Sequence, residues 1–198
     1  MKGLYLLLSA LLLSSFAVGQ TLGDYQSVGG SWNQASSWLR YDGVSFVAAA
    51  TPPTTTDGVI TIVAGTTIDV TSAVDADEVI VEGDAVLNIQ SGGTLRIFNG
   101  TGDDLTVTVG DGFFTNDGFC NVLTGGVLEN RGVLSNSNTN LQVDGTVIHN
   151  QNGGVLPVAS WNSGSLLEVQ GITNIKPTGF AGQTFYDFRW NSTQSASI

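Results

Sequence analysis

Apolar and polar positions along this chain alternate in short runs. Val59-Ile-Thr-Ile-Val63, Thr67-Ile-Asp-Val70, Glu78-Val-Ile-Val81, Ala85-Val-Leu-Asn-Ile89, Thr94-Leu-Arg-Ile97 and Leu105-Thr-Val-Thr-Val109 are the clearest. A period of two marks strands with one face buried. Gly, Asn and Asp separate the runs, and these residues turn a chain at low steric cost. Past residue 19 no long stretch has the three-to-four spacing of a helix. The pattern therefore predicts an all-β chain of short strands.

The turns also repeat. Gly92-Gly-Thr-Leu, Gly125-Gly-Val-Leu and Gly153-Gly-Val-Leu are copies of one unit. A second unit sets Asn shortly before Gly: Phe114-Thr-Asn116-Asp-Gly118, Leu128-Glu-Asn130-Arg-Gly132 and Ile148-His-Asn150-Gln-Asn-Gly153. Internal repetition of this kind is the mark of a solenoid. Each short strand sends one or two apolar residues inward, and Gly or Asn then turns the corner. Asn side chains stacked between coils add hydrogen bonds. The expected fold is a single-stranded right-handed parallel β-helix over residues 58–175, with an antiparallel β-sandwich as the alternative. Residues 20–57 carry Tyr25, Trp32, Trp38, Tyr41 and Phe46 and read as an N-terminal cap. Trp32 and Trp38 are its expected structural core, because a solenoid must cover its open end. Residues 176–198 are an aromatic flank with no evident closing element, as in a chain that stops short of a longer protein.

The first 19 residues differ from the rest. Lys2, the apolar run Leu4 to Leu13, and small residues at Ala17 and Gly19 have the order of a cleaved secretory signal, with Gln20 as the first mature residue. The apolar run is shorter than the roughly 20 residues a spanning helix needs. The expectation is a secreted or outer-surface protein with no transmembrane segment after cleavage.

Charge and cysteine narrow the partners. The formal net charge is −11. Between Tyr41 and Ile175 the only Lys or Arg residues are Arg96 and Arg131. Nucleic acid is excluded as a partner, because its phosphates need clustered Lys and Arg. Cys120 is the sole cysteine, so no internal disulfide forms, and it reads as a small buried apolar side chain.

Candidate chemistry is sparse. Asp103, Asp104 and Asp111 lie among glycines and form a candidate Ca²⁺ cluster, since that ion takes six to eight oxygens. The competing account is turn-forming Asp in solvated loops. No other cofactor is expected. Trp161, in the polar stretch Ala-Ser-Trp-Asn-Ser-Gly, is the candidate exposed ring for stacking on a sugar. His149, the single histidine, is expected to point outward beside Asn150. No nucleophile-elbow or phosphate-loop motif occurs, and no catalytic residue is assigned.

Several segments resemble a known group. Gly30-Ser-Trp32-Asn-Gln-Ala-Ser-Ser-Trp38, Pro52-Pro53, Asp57-Gly-Val-Ile-Thr-Ile62, Ala64-Gly65-Thr-Thr-Ile-Asp-Val70 and Gly92-Gly-Thr-Leu95 resemble the opening of secreted β-helix surface proteins of Bacteroidota, and of G8-type domains. The resemblance covers roughly residues 28–97. It implies an extracellular solenoid of the kind associated with type IX secretion, with glycan binding or cleavage in some G8-containing proteins. The expected function is a structural or adhesive surface module contacting extracellular glycan or other surface proteins. A polysaccharide lyase or hydrolase on the same scaffold and a glycan-binding module are the alternatives. The balance is against an enzyme.

Overall fold

The computed structural model describes residues 19–110, 112–135 and 140–193. The expected signal segment up to residue 18, and Asp111, lie outside the described residues. The chain is a parallel β-solenoid of about six turns.

The first strands belong to the N-terminal segment: β1 (Tyr25–Ser27), β2 (Gly30–Ser31), β3 (Trp38–Tyr41) and β4 (Phe46–Ala48). The turns follow in order. They are β5 (Ile60–Ile62), β6 (Thr67–Val70) and β7 (Ala73–Ala76), then β8 (Val79–Val81), β9 (Val86–Ile89) and β10 (Thr94–Ile97). Next come β11 (Leu105–Val107), β12 (Phe113–Asn116) and β13 (Phe119–Val122), then β14 (Val127–Asn130), β15 (Val133–Ser135) and β16 (Leu141–Val143). The last are β17 (Thr146–Asn150), β18 (Ser160–Trp161), β19 (Leu166–Gln170) and β20 (Asp187–Trp190). They stack into three sheets. The long sheet runs β20-β19-β17-β14-β11-β8-β5-β1-β3-β4, and two five-stranded sheets run β18-β16-β13-β10-β7 and β15-β12-β9-β6-β2.

Pairing from coil to coil is parallel throughout the described residues. Among them only β1–β3 and β3–β4 are antiparallel. The sandwich alternative therefore fails, because its strands would return through antiparallel hairpins. The solenoid also extends past the expected limits. β1 and β2 already pair in parallel with β5 and β6. At the other end β20, inside the C-terminal flank, pairs in parallel with β19.

The core is a set of ladders. Tyr25, Ile60, Val79, Leu105, Leu128, Val147, Leu167 and Phe188 occupy one register down the long sheet. All but Phe188 are buried. Each such aliphatic residue contributes roughly 1.5–3 kcal/mol by leaving water. Cys120 completes another ladder with Val74, Leu95 and Leu141, and is fully buried. Burial pushes its thiol up to about 12, so it is an inert apolar side chain.

Two kinds of corner hold the coils. Val63, Glu82, Gln90, Leu123 and Asn162 each accept the N–H three residues on, at 2.8–3.1 Å. The third residue of each turn has positive φ: Gly65, Asp84, Gly92, Gly125 and Gly164. This is type II geometry, which explains the recurring Gly. At the Asn-x-Gly corners the need is space instead. A Cβ on Gly132 would stand 2.5 Å from the carbonyl oxygen of Thr108 in the coil below.

At the N-terminal end Trp32 and Trp38 are both 1% exposed. Their rings meet edge-on at 5.1 Å, and Trp38 Nε1 donates to the Trp32 carbonyl at 2.8 Å. The antiparallel β3–β4 hairpin covers the outer edge of β1.

Candidate functional site

The outer face of the long sheet brings two carboxyl groups and a guanidinium together across coils, around a buried Glu129. Glu129 sits on β14 between Thr106 below and Ile148 above, in an outward register. An outward strand residue is normally exposed, yet Glu129 is only 3% exposed. Its neighbours cover it. Asn150 Nδ2 donates to Oε1 at 2.7 Å. Arg131 Nη2 lies 2.7 Å from Oε2 as an ion pair, with no donor aligned on that oxygen. The carboxyl of Asp103 reaches Glu129 from the preceding coil.

Asp103 is held above the ordinary carboxylate range. Partial burial of its carboxyl beside Glu129 is the largest cause, followed by the charge of Glu129 and a hydrogen bond to it, and Arg131 offsets part of the rise. Asp103 therefore retains a proton to higher pH than it would alone in water.

The device recurs two coils on. Glu168, in the same register as Glu129 through Ile148, accepts from Asn191 Nδ2 at 2.7 Å, Gln170 Nε2 at 2.8 Å and Arg189 Nη1 at 3.1 Å. Burial opposes its ionisation, but the bonds from Asn191, Gln170 and Arg189 outweigh it, and its carboxyl is held below the usual range. In both cases an Asn lies one coil up and two residues ahead. The result is two fixed carboxylates, Glu129 and Glu168, on either side of Ile148 in one outward register. A trough of about 290 Å³, bordered by Glu78, Ile80, Thr101, Asp103 and Thr106, runs beside Glu129.

Several other acids serve the backbone. Asp24 accepts from Thr21 N at 2.7 Å and Val59 N at 3.0 Å. Asp104, fully buried, accepts from Gly100 N at 2.5 Å and Val127 N at 2.7 Å. Asp24 and Asp104 each precede a strand of the long sheet and tie it to the coil above. Glu82 binds Ala64 N, and Asp42 binds Val44 N and Ser45 N.

The residues of the expected calcium cluster have the following places. Asp103 belongs to the Glu129 pair, Asp104 is a backbone clamp, and Asp111 lies outside the described residues. Among the described residues no three His, Cys, Asp or Glu side chains are grouped to hold a metal ion.

Two sequence expectations are corrected. His149 does not point outward. It is fully buried in the ladder Ile62, Val81, Val107, Asn130, His149, Val169, because its position in β17 has inward parity. Its Nε2 bonds the Gly153 carbonyl at 2.6 Å, while Nδ1 and the Nδ2 of Asn130 have no partner. Burial lowers its pKa, partly offset by the Gly153 bond. Trp161 lies on β18, not in a loop, opposite Val143. It is partly buried, meets Phe185 edge-on at 5.0 Å, and donates from Nε1 to Gln183. Trp32 and Trp38 stand in the N-terminal end as described above.

Arg96 and Arg131 take different sheets. Arg96 forms a two-pronged pair with Asp75 at 2.6 Å on the β10–β7 face. Sequence reading missed Glu129. The available signal was Leu128-Glu-Asn130, which puts an acid where the neighbouring repeats carry Arg96 or Ser135.

No family model, curated protein or solved structure matches this chain.

Proposed function

We propose that the chain is a secreted or outer-surface β-solenoid module with a structural or adhesive role, offering the outer face of the long sheet to extracellular glycans or other surface proteins. One observation carries this reading: Asp24, Asp75, Glu82, Asp104 and Glu168 each tie one coil to the next, and Asp42 closes the hairpin turn. Asp24, Asp42, Glu82 and Asp104 bind backbone N–H groups, and Asp75 and Glu168 bind arginines. Such groups are spent on shape. The net charge of −11 favours solubility of an exposed module. Among the described residues no helix is long and apolar enough to cross a membrane.

A carbohydrate-active enzyme is the second reading, and Asp103–Glu129–Arg131 is its best foothold. Two facts count against it. Carboxyls within hydrogen-bonding reach are closer than the ~5–5.5 Å of retaining or the ~6.5–9.5 Å of inverting glycosidases. Glu129 is also almost wholly covered.

The test has two arms. Protease treatment of intact source cells should remove the chain or release it, and a deletion strain should lose attachment to a glycan-coated surface. The purified chain, incubated with a panel of polysaccharides, should leave their chain lengths unchanged. Depolymerisation that disappears in Glu129→Gln would overturn the structural reading. A cytoplasmic, protease-resistant chain would overturn the location. Glycan-array binding unchanged by Trp161→Ala removes Trp161 as a contact.

A further inference from the structure

The sheet that runs β15-β12-β9-β6-β2 has no further strand beyond β15 among the described residues. The chain leaving β17 passes instead through a loop, residues 151–156, and the next coil lays residues 172–178 on that loop. The contacts between the two segments run through the backbone. Thr178 N donates to Gly154 O at 3.0 Å and Leu156 N to Thr178 O at 2.9 Å. The Oδ1 of Asn152 accepts from the N–H groups of Thr173, Asn174 and Ile175, each at 3.0 Å. Gly153 and Gly154 both have φ +78°, a left-handed pair that turns the loop back towards the end of β17.

One side chain pegs this double layer to the core. His149 Nε2 meets the Gly153 carbonyl at 2.6 Å, in a fully buried position. A carbonyl only accepts, so Nε2 carries the hydrogen and Nδ1 presents a bare lone pair. The neighbour of His149 in the coil below is Asn130, whose Oδ1 accepts from Gly132 N at 3.2 Å. Asn130 therefore has only its Nδ2 donor to spare, and that atom and Nδ1 of His149 are both buried without a partner. The coil above supplies Val169. A proton added at Nδ1 makes a second N–H with no oxygen to receive it, which is destabilising in a buried place. No opposite charge compensates. Glu129 and Glu168 stand on the outer face beside Ile148, and Arg131 pairs with Glu129. Residues 151–156 and β15 carry no titratable group, and Lys176 of the upper segment is exposed.

We propose that His149 is a pH-operated latch. Neutral, it holds residues 151–156 on the solenoid and, through them, residues 172–178. Protonated, its ring leaves the core for water, and the Gly153 carbonyl loses its donor. Both segments then open as a unit, while the coils from β5 to β16 stay folded. Opening uncovers Leu156 and Ile172, which are 1% and 3% exposed in the closed form. Acid thus bares an apolar surface beside β15.

The test is hydrogen exchange by mass spectrometry on the purified full chain, in steps from about pH 8 to about pH 4 and corrected for intrinsic exchange. Peptides from 151–156 and 172–178 should exchange about tenfold faster at the acid end, with β5, β8 and β11 unchanged. His149→Gln keeps a donor for Gly153 and does not titrate, so both segments should stay protected throughout. His149→Ala removes the donor, so both should be open throughout. Nitrogen-15 NMR of the ring, the only imidazole in the chain, gives an independent reading on the unaltered protein. Its titration midpoint should coincide with the midpoint of the exchange change. Exchange that is the same across the series overturns the proposal. So does an acid opening that persists in His149→Gln, that spreads evenly over all coils, or that occurs while the ring stays neutral. None of these readouts depends on location or adhesion, so failure here and failure of the proposed function are separate findings.

Discussion

The two halves of the solenoid share a backbone plan and differ in what fills it. In the N-terminal half the second inward ladder of the long sheet is aliphatic, Ile62, Val81 and Val107, and all three are fully buried. In the C-terminal half the same ladder continues as Asn130 and His149, with polar atoms left unpaired. The N-terminal segment packs two interlocked tryptophans and a hairpin onto the stack, whereas Phe188 of β20 is 47% exposed. In a stack where each coil touches only its neighbours, stability is close to a sum of coil and interface terms. The N-terminal half should therefore be the stable part, and the C-terminal half the part that opens first.

The contrast can be broken most forcefully at the N-terminal tryptophans. Trp38→Ala removes the ring that holds Trp32 and Tyr25 edge-on, and should cost about 3–5 kcal/mol, as for buried aromatics generally. Denaturant titration followed by circular dichroism reads this directly. Next, Leu105→Ala in the middle ladder should cost about 2–5 kcal/mol, because the flanking Val79 and Leu128 are themselves locked by register. A loss under ~1 kcal/mol would mean that the coils collapse around the gap.

His149 sharpens the contrast through pH. Burial lowers its pKa in the folded chain, so the unfolded chain binds the extra proton first. The stability it contributes is present above the ordinary histidine value of ~6.5 and is lost as pH falls through the folded value. Unfolding midpoints should drop on acidification from about pH 8 towards about pH 5, and His149→Gln should flatten that slope. Asp103 acts with the opposite sign. Its raised value means that the folded chain holds the proton more tightly, so its contribution is present in acid and fades as pH rises through the folded value. Asp103→Asn should remove that fall from the pH–stability curve. The smallest effect belongs to β20. Phe188→Ala, at a half-exposed ring, should cost the monomer under ~1 kcal/mol, far less than Trp38→Ala.

Much of the fold was legible in the sequence because both corner types have strict chemistry. Ala64-Gly65, Ser91-Gly92 and Thr124-Gly125 announce type II turns, and the strands between them follow from alternation. Register was not legible. Gly92-Gly-Thr-Leu opens β10 on one face, and Gly125-Gly-Val-Leu opens β14 on another. Gly153-Gly-Val-Leu opens no full strand, only a bridge between Val155 and Thr178. The same tetrapeptide thus serves different faces, and only the loop lengths between copies decide which. The site was hidden for the same reason. Asp103, Glu129, Arg131 and Asn150 meet across neighbouring registers of three successive coils of unequal length, and no local pattern reports that. His149 was misplaced by parity: beside outward Asn150 it alternates inward.

The most direct measurement is amide hydrogen exchange, resolved by residue. The account predicts the slowest exchange in β5, β8 and β11, and faster exchange in β17 and β19. Equal protection from β5 to β19, or faster exchange in β5 and β8 than in β17 and β19, would contradict it.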